Sequence, residues 1–109
     1  MINWEDFEKV DMRVGTIIEA LDFPEARRPA YKLTIDFGEL GIKKSSAQIT
    51  QRHRLSELKG MQVIAVVNFP PKQIGPFMSE CLVMGVYAEN KEVVLIQPSQ
   101  NCPNGSKIG

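Results

Sequence analysis

Residues 31–50, YKLTIDFGELGIKKSSAQIT, carry the pattern that decides the fold. Apolar and polar residues alternate from Tyr31 to Phe37, which is typical of a strand with one face against a core. Glycines in the segment 38–41 then turn the chain into a second strand over residues 42–50, which is rich in lysine and serine. The stretch therefore predicts an antiparallel hairpin with one apolar face and one polar, basic face.

Upstream of this hairpin the spacing of apolar residues changes from the period of a helix to the alternation of a strand. Residues 3–10 have apolar positions at helical spacing, and Asn3 is a suitable cap, so we expect a short helix. Residues 12–20 alternate again, and Gly15 within them suggests a bulge or a sharp curl of the strand. The residues expected to share one face of this strand are Met12, Val14, Thr16, Ile18 and Ala20.

Downstream of the hairpin, Leu55 and Leu58 predict a short helix that ends at Gly60. Residues 61–69 are almost continuously apolar and predict a strand that is covered on both faces. The next stretch, NFPPKQIGPF at 68–77, contains three prolines and a glycine, so we expect a stiff, extended loop without regular structure. Two further strands are predicted at 78–86 and 93–96.

The order of these elements indicates an all-β fold with one domain, residues 1–109. Three strands, a short helix and two or three more strands, all closely connected, are typical of a five-stranded OB-type Greek-key barrel whose helix plugs one end. A small β-sandwich would give a similar periodicity and remains an alternative. With 43% apolar and 24% charged residues, the chain has the composition of an ordinary globular protein.

Charge is unevenly distributed along the chain. The 13 basic and 13 acidic residues cancel, yet residues 26–72 hold nine Lys or Arg and only three Asp or Glu. A surface that gathers this excess would attract polyanions, and an OB barrel binds its ligand over strands two and three. The elements concerned carry Arg27, Arg28, Lys32, residues 43–48 and residues 68–72. We expect His53, between two arginines, to add to the same surface.

An apolar set borders this basic region. A loop with three prolines cannot easily withdraw its side chains into a core, so it could line a peptide groove. The candidate peptide-binding residues are Phe69, Pro70, Pro71, Ile74, Phe77 and Met78. The alternative is that Phe77 and Met78 begin a strand and belong to the core.

Catalysis, metal binding and cofactors are not expected. The two cysteines lack metal-ligand spacing, and Cys81 lies in an apolar run as a buried free thiol would. Asp36 and Glu80 are isolated carboxylates, and no glycine-rich phosphate loop occurs. The acidic N-terminal residues do not resemble a signal peptide and no apolar run is long enough to cross a membrane, so we expect a cytoplasmic protein.

Five segments resemble, in order and spacing, the tRNA-binding domain family that includes the C-terminal domains of some methionyl-tRNA synthetases. They are DMRVGTI, YKLTIDFG, IKKSSAQIT, VIAVVNFPPKQIGPFMSE and NGSKIG. Within that family the chain is similar to the free-standing bacterial CsaA-type branch of protein-secretion chaperones. The resemblance implies an OB barrel whose N- and C-terminal extensions form a homodimer, without catalytic activity.

The resemblance also implies partners and contact residues. It implies tRNA binding by shape and backbone and, for the chaperone branch, binding of unfolded preproteins or peptides, with SecA as an export partner. The RNA contacts it implies lie at Lys32, Lys43, Lys44, Ser45, Ser46, Gln48, Asn68, Lys72 and Ser79, beside the loop arginines Arg27 and Arg28. Nucleic-acid binders of the family commonly follow the serine with glycine and methionine, whereas Glu80 and Cys81 follow Ser79 here. The sequence therefore favours an export chaperone, with a tRNA-binding protein as the alternative.

Overall fold

The computed structural model describes residues 1–109. Its helices are α1 (Trp4–Glu8) and α2 (Leu55–Leu58), and single 3-10 turns lie at Gly38–Leu40 and Glu89–Lys91. The strands are β1 (Met12–Asp22), β2 (Tyr31–Asp36), β3 (Ile42–Ala47), β4 (Gln62–Val66), β5 (Lys72–Ile74), β6 (Phe77–Ser79), β7 (Leu82–Val83), β8 (Gly85–Tyr87) and β9 (Val93–Leu95). None of the helices is long and apolar enough to span a bilayer.

Five antiparallel strands form the barrel, in the order β3-β2-β1-β4-β7. The two outer strands approach each other, and the amide of Glu80, just before β7, donates to the carbonyl oxygen of Lys44 in β3 at 2.7 Å. The sheet is therefore nearly closed, and the predicted five-stranded OB-type barrel is confirmed. Leu58 of α2, which follows β3, is fully buried in the barrel core.

Strand β2 has the alternation that the sequence predicts. Tyr31, Leu33, Ile35 and Phe37 are all buried, while the residues between them are half-buried. These four side chains form the middle of the core together with residues of β1, β3 and β4. Burial of such large apolar groups stabilises the fold by roughly 1.5–3 kcal/mol for each side chain.

Strand β1 departs from the predicted alternation. Its register with β2 shifts between Ile17 and Glu19, so the bulge lies there rather than at Gly15. Consequently Ile17 is fully buried and Ile18 is 37% exposed, and the expected shared face breaks at Ile18. Gly15 has a different role: a Cβ there would lie 2.6 Å from Ile35 and 2.7 Å from the Phe37 ring. Glycine is needed because two core side chains approach its backbone.

The proline-rich stretch also differs from the prediction, because it is not an irregular loop. Strands β5 and β6 pair as a hairpin, with Lys72 opposite Ser79 and Ile74 opposite Phe77. The turn uses Gly75 at φ +56°, a backbone conformation that glycine adopts readily. The strand predicted over 78–86 is correspondingly divided among β6, β7 and β8. The strand predicted over 42–50 ends at Ala47.

The C-terminal segment packs along the first half of β1, and α1 lies beside that segment. Asn3 caps α1 by accepting from the Asp6 amide at 2.9 Å. The C-terminal segment pairs with β1 through three backbone hydrogen bonds, among them Val14 N–H to the Ser106 carbonyl oxygen at 2.9 Å and Ile108 N–H to the Met12 carbonyl oxygen at 2.9 Å. The extensions are thus ordered parts of the fold beside the barrel.

Candidate binding face

The outer side of β2 and β3 collects basic and hydroxyl side chains. Residues directly opposite each other in an antiparallel pair share a face, and the register places Lys32 opposite Ser46 and Thr34 opposite Lys44. The buried Leu33 alternates with these positions and points into the barrel, so Lys32, Lys44 and Ser46 lie on the outside. We define the basic face by Lys32, Lys44, Ser46, Lys72 and Ser79.

Hairpin β5–β6 supplies the last two of these residues. The Ser46 amide donates to the Ser79 hydroxyl oxygen at 3.2 Å, which attaches β6 to β3. Lys72 is the hairpin partner of Ser79, so its exposed side chain shares a face with that hydroxyl. The structure therefore brings together lysines from β2, β3 and β5 that are far apart in the sequence.

A pair of aromatic side chains lies at one border of the basic face. The ring of Phe23, in the loop after β1, lies 5.3 Å from the ring of Phe77 in β6. The Lys32 Nζ lies 5.6 Å from the centroid of the Phe23 ring, within the range of a cation–π interaction. These contacts restrict the Lys32 ammonium to the border between the loop and the hairpin.

Glu80 lies at the seam where β3 meets the segment before β7. Its carboxylate Oε1 accepts from the Lys44 amide at 3.0 Å, and its own amide donates to the Lys44 carbonyl oxygen at 2.7 Å. The side chain thus occupies a backbone donor at the edge of β3. The sequence indicated an isolated carboxylate here, because the contact joins residues 36 positions apart.

Three predicted RNA contacts are not placed as expected. Ser45 is fully buried, so its hydroxyl cannot reach a ligand on the outer side, and that prediction is wrong. The Asn68 side chain donates to the Lys9 carbonyl oxygen at 2.7 Å and accepts from the Asp11 amide at 3.0 Å, which directs it to the N-terminal segment. Lys43 is half-buried and shares the inward side of β3 with Ser45. The other predicted contacts in loops or at strand ends, Arg27, Arg28 and Gln48, are exposed.

Two residues of the predicted basic surface are structural instead. Arg52 donates to Glu92 at 2.7 Å and to Glu89 at 2.6 Å, and these bonds, the one to Glu92 first, raise its pKa above the usual arginine value. His53 accepts the Leu95 amide at Nε2, 3.1 Å away, and its side chain is only 12% exposed. The expectation that His53 adds to a free basic surface is therefore wrong, because it fastens β9 to the segment after β3.

The predicted peptide-binding residues divide into two groups. Phe69 is 56% exposed and Met78 is 45% exposed, and Pro70 and Pro71 are also exposed. Ile74 and Phe77 are half-buried, and the Phe77 ring packs against the loop after β1. The exposed group therefore lies in the segment before the hairpin and, at Met78, on the side of the hairpin opposite Lys72 and Ser79.

A comparison with known protein families identifies the family to which this barrel belongs. The family model of the tRNA binding domain matches residues 12–107, which include the whole barrel. The chain belongs to the tRNA-binding domain family.

Two solved structures of chaperones resemble this tRNA-binding domain over its whole length. The chaperone CsaA from Bacillus anthracis str. Ames is 55% identical with a TM-score of 0.94, and the alignment covers 100% of this chain and 99% of that chain. The CsaA chaperone protein from Picrophilus torridus is 52% identical with a TM-score of 0.92, and the alignment covers 100% of both chains.

Enzymes also contain the domain. The methionine–tRNA ligase of Nanoarchaeum equitans is 34% identical over an alignment 110 residues long, which covers 99% of this chain but 14% of that ligase. The chain thus spans about one-seventh of the length of that curated relative. In the structure, no group of three or more His, Cys, Asp or Glu residues is placed to hold a metal ion.

Proposed function

We propose that the protein is an export-related chaperone that binds unfolded preproteins or peptides as a homodimer, without catalysing a reaction. The observation that carries the proposal is the full-length match to two chaperone structures at 55% and 52% identity. A cytoplasmic location and contact with SecA belong to the same proposal, since a chaperone acting before export meets its substrates inside the cell.

The surface of hairpin β5–β6 supports polypeptide binding. Phe69, in the segment before the hairpin, and Met78, opposite Gln73 within it, both expose apolar area. Exposed apolar patches on a folded domain mark interaction sites, and a peptide groove combines such area with a few polar groups. The hairpin offers both to an extended, apolar segment.

The terminal extensions support the homodimer. Ile2 is 75% exposed and Trp4 is 66% exposed, and both lie in or beside α1. Trp4, Phe7, Val10 and Ile108 line a cleft of about 260 Å³ between α1 and the C-terminal segment. A second copy of this chain would cover these side chains and would duplicate the basic face and the hairpin.

The alternative function is tRNA binding, which the family model and the lysines of the basic face support. Lys32, Lys44 and Lys72 converge from three strands and could contact phosphates of a folded tRNA. Exposed stacking platforms are few in the basic region, because, of its aromatic residues, Tyr31 and Phe37 are buried and Phe69 is exposed. Such binding would therefore recognise backbone and shape.

A competition experiment separates the two functions. Labelled bulk tRNA and a labelled unfolded precursor segment are titrated with the protein at about 0.15 M salt. We expect micromolar or tighter binding of the precursor segment and loss of tRNA at that salt. Retention of tRNA without precursor binding would reverse the assignment.

The double variant Phe69→Ser, Met78→Ser tests the exposed apolar residues in the hairpin and in the segment before it. We expect it to weaken precursor binding about tenfold, because two exposed apolar contacts are lost, while the affinity for tRNA at low salt stays within about twofold. Leu40→Ser is the matched control, since Leu40 is 41% exposed in the turn between β2 and β3. Equal losses in the control and the double variant would place the peptide site elsewhere.

A further inference from the structure

The C-terminal segment contains an asparagine that is followed directly by glycine, at Asn104 and Gly105, and no other asparagine of the chain precedes a glycine. In such a pair the glycine nitrogen can attack the side-chain amide carbon of the asparagine, because glycine has no Cβ to obstruct the approach. The new C–N bond closes a succinimide ring, and the side-chain nitrogen leaves as ammonia with the proton that the glycine nitrogen loses. Water then opens the ring at either carbonyl, which gives aspartate or isoaspartate.

Both reacting groups are held by hydrogen bonds while the segment lies along β1. The Gly105 amide, which would supply the attacking nitrogen, donates to the Val14 carbonyl oxygen at 2.8 Å. The Oδ1 of Asn104 accepts from the Thr16 hydroxyl at 2.7 Å and from the Gln62 Nε2 at 3.2 Å. Ring closure brings the nitrogen to the side-chain carbon, so these bonds must break first.

The backbone around the pair is held as well. The Gly105 carbonyl oxygen accepts from the Arg13 Nη1 at 3.0 Å. A Cβ at Gly105 would lie 2.6 Å from the Phe37 carbonyl oxygen, and a Cβ at Gly38 would lie 2.5 Å from the Asn104 carbonyl oxygen. The pair therefore packs directly against the start of the β2–β3 turn and has little room to rearrange in place.

We propose that Asn104 is a deamidation site that the docked C-terminal segment keeps unreactive, and that its conversion to isoaspartate releases the segment irreversibly. Isoaspartate adds one methylene to the backbone between residues 104 and 105. The amides of Gly105 and Ile108 would then be out of register with the carbonyl oxygens of Val14 and Met12. This inference does not depend on the proposed chaperone function.

The test compares deamidation rates in the intact protein at physiological temperature and mildly alkaline pH. Digestion and mass spectrometry give the fraction of Asn104 converted from amide to acid, and enzymatic methylation identifies isoaspartate. Gln62→Ala removes the side chain that bonds Asn104 and both backbone groups of Cys102. We expect its Asn104 to react about tenfold faster than in the wild type, because a less firmly held segment opens more often.

A matched substitution controls for the loss of a glutamine. Gln73→Ala removes a side chain that bonds the Gly75 carbonyl oxygen in the β5–β6 hairpin, and it should leave the rate at Asn104 unchanged. Hydrogen exchange at the Leu33 amide in the core measures global opening in each variant. If Gln62→Ala accelerates exchange at Leu33 as much as deamidation, the reaction requires global unfolding and the protective role of docking is refuted.

Two further results bear on the proposal. The wild type should react much faster in concentrated urea than in native buffer, and equal rates would show that docking gives no protection. In the isolated isoaspartate form, the amides of Gly105 and Ile108 should exchange rapidly while that of Leu33 stays protected. Retained protection at Gly105 and Ile108 would overturn the release of the segment.

Discussion

The thiol of Cys81 lies under the seam of the barrel, with its Sγ 3.7 Å from the Lys44 carbonyl oxygen. The residue is 6% exposed, and this burial raises the pKa of the thiol to about 12 from 9.0. Lys43 opposes the shift through its positive charge. The folded state therefore holds the proton more firmly than the unfolded chain does, and the thiol should be unreactive at neutral pH.

We expect this burial to appear as a loss of stability in alkali. Because the folded pKa is raised, the stabilisation is complete below pH 9 and is lost as pH rises from about 9 towards 12, by up to about 1.4 kcal/mol for each pH unit. Urea unfolding at pH 7, 9 and about 10.5 measures the effect. Cys81→Ala should decline less steeply than the wild type above pH 9, and Cys102→Ala should follow the wild type. Parallel curves for all three would contradict the prediction.

At the scale of elements, the β8–β9 hairpin is fastened to the segment before α2 by side chains rather than by a sheet. Arg52 bonds both ends of its turn, at Glu89 and Glu92, and His53 accepts the Leu95 amide. The pKa of Glu89 is lowered by a hydrogen bond from its own backbone amide and then by Arg52. Both interactions require the ionised carboxylate.

Loss of the Arg52 bonds to Glu89 and Glu92 should loosen the β8–β9 hairpin without unfolding the barrel. In Arg52→Gln we expect hydrogen exchange at the amides of Val86 and Val94 to accelerate several-fold, with that of Leu33 unchanged. Since the Glu89 pKa is lowered, its contribution is present above pH 4.5 and is lost as pH falls below that value, so the wild-type hairpin should loosen in acid. Lys91→Gln, in the same turn, should leave exchange at neutral pH unchanged. Acceleration of exchange at Leu33 as well would show global destabilisation instead.

The elements show which parts of the fold the sequence could predict. Strand β2 alternates strictly and was predicted correctly, because one face is core and the other is open. The β1 bulge was misplaced because Ile17 and Ile18 are both apolar, so no period marks where the register shifts. The β5–β6 hairpin was missed because prolines usually disrupt strands, whereas here they precede β5 or occupy its turn.

The candidate site was predictable only as a set of residue types. Lysines on β2 and β3 could be assigned to the outer side from alternation, and Lys32 and Lys44 lie there. The same alternation places Ser45 on the inner side of β3, where its full burial agrees with the pattern. The contacts of Asn68, His53 and Glu80 join distant parts of the chain, and no local pattern reports them.

At the scale of the whole molecule, the two surfaces proposed for binding and for self-association have different compositions. The basic face is formed by β2, β3 and the β5–β6 hairpin, whereas the C-terminal extension lies along the first half of β1 with α1 beside it. Self-association through the extensions would therefore leave the binding face open. Binding and assembly should respond to different substitutions.

Trp4→Ser tests this separation. We expect it to raise the dissociation constant of the proposed dimer at least tenfold, because a large aromatic side chain that is 66% exposed in one chain would be covered in the pair. Sedimentation equilibrium over a range of protein concentrations measures the constant. Tyr87→Ser, at an aromatic residue that is 78% exposed in β8, is the control and should not change it. A wild-type protein that is monomeric at all concentrations would refute the homodimer.

The pairing of β1 determines how fast this chain can fold. Met12 pairs with Val66, and its carbonyl oxygen accepts from the Ile108 amide, so the strand needs partners from the middle and the end of the sequence. To form each of these pairings the chain must close a long loop, and the conformational entropy of that loop is lost before the stabilising strand contacts form. Of the partners of β1, only β2 follows it closely in sequence. The chain should therefore form the β1–β2–β3 meander early and fold over milliseconds to seconds, the range of small barrels rich in non-local contacts.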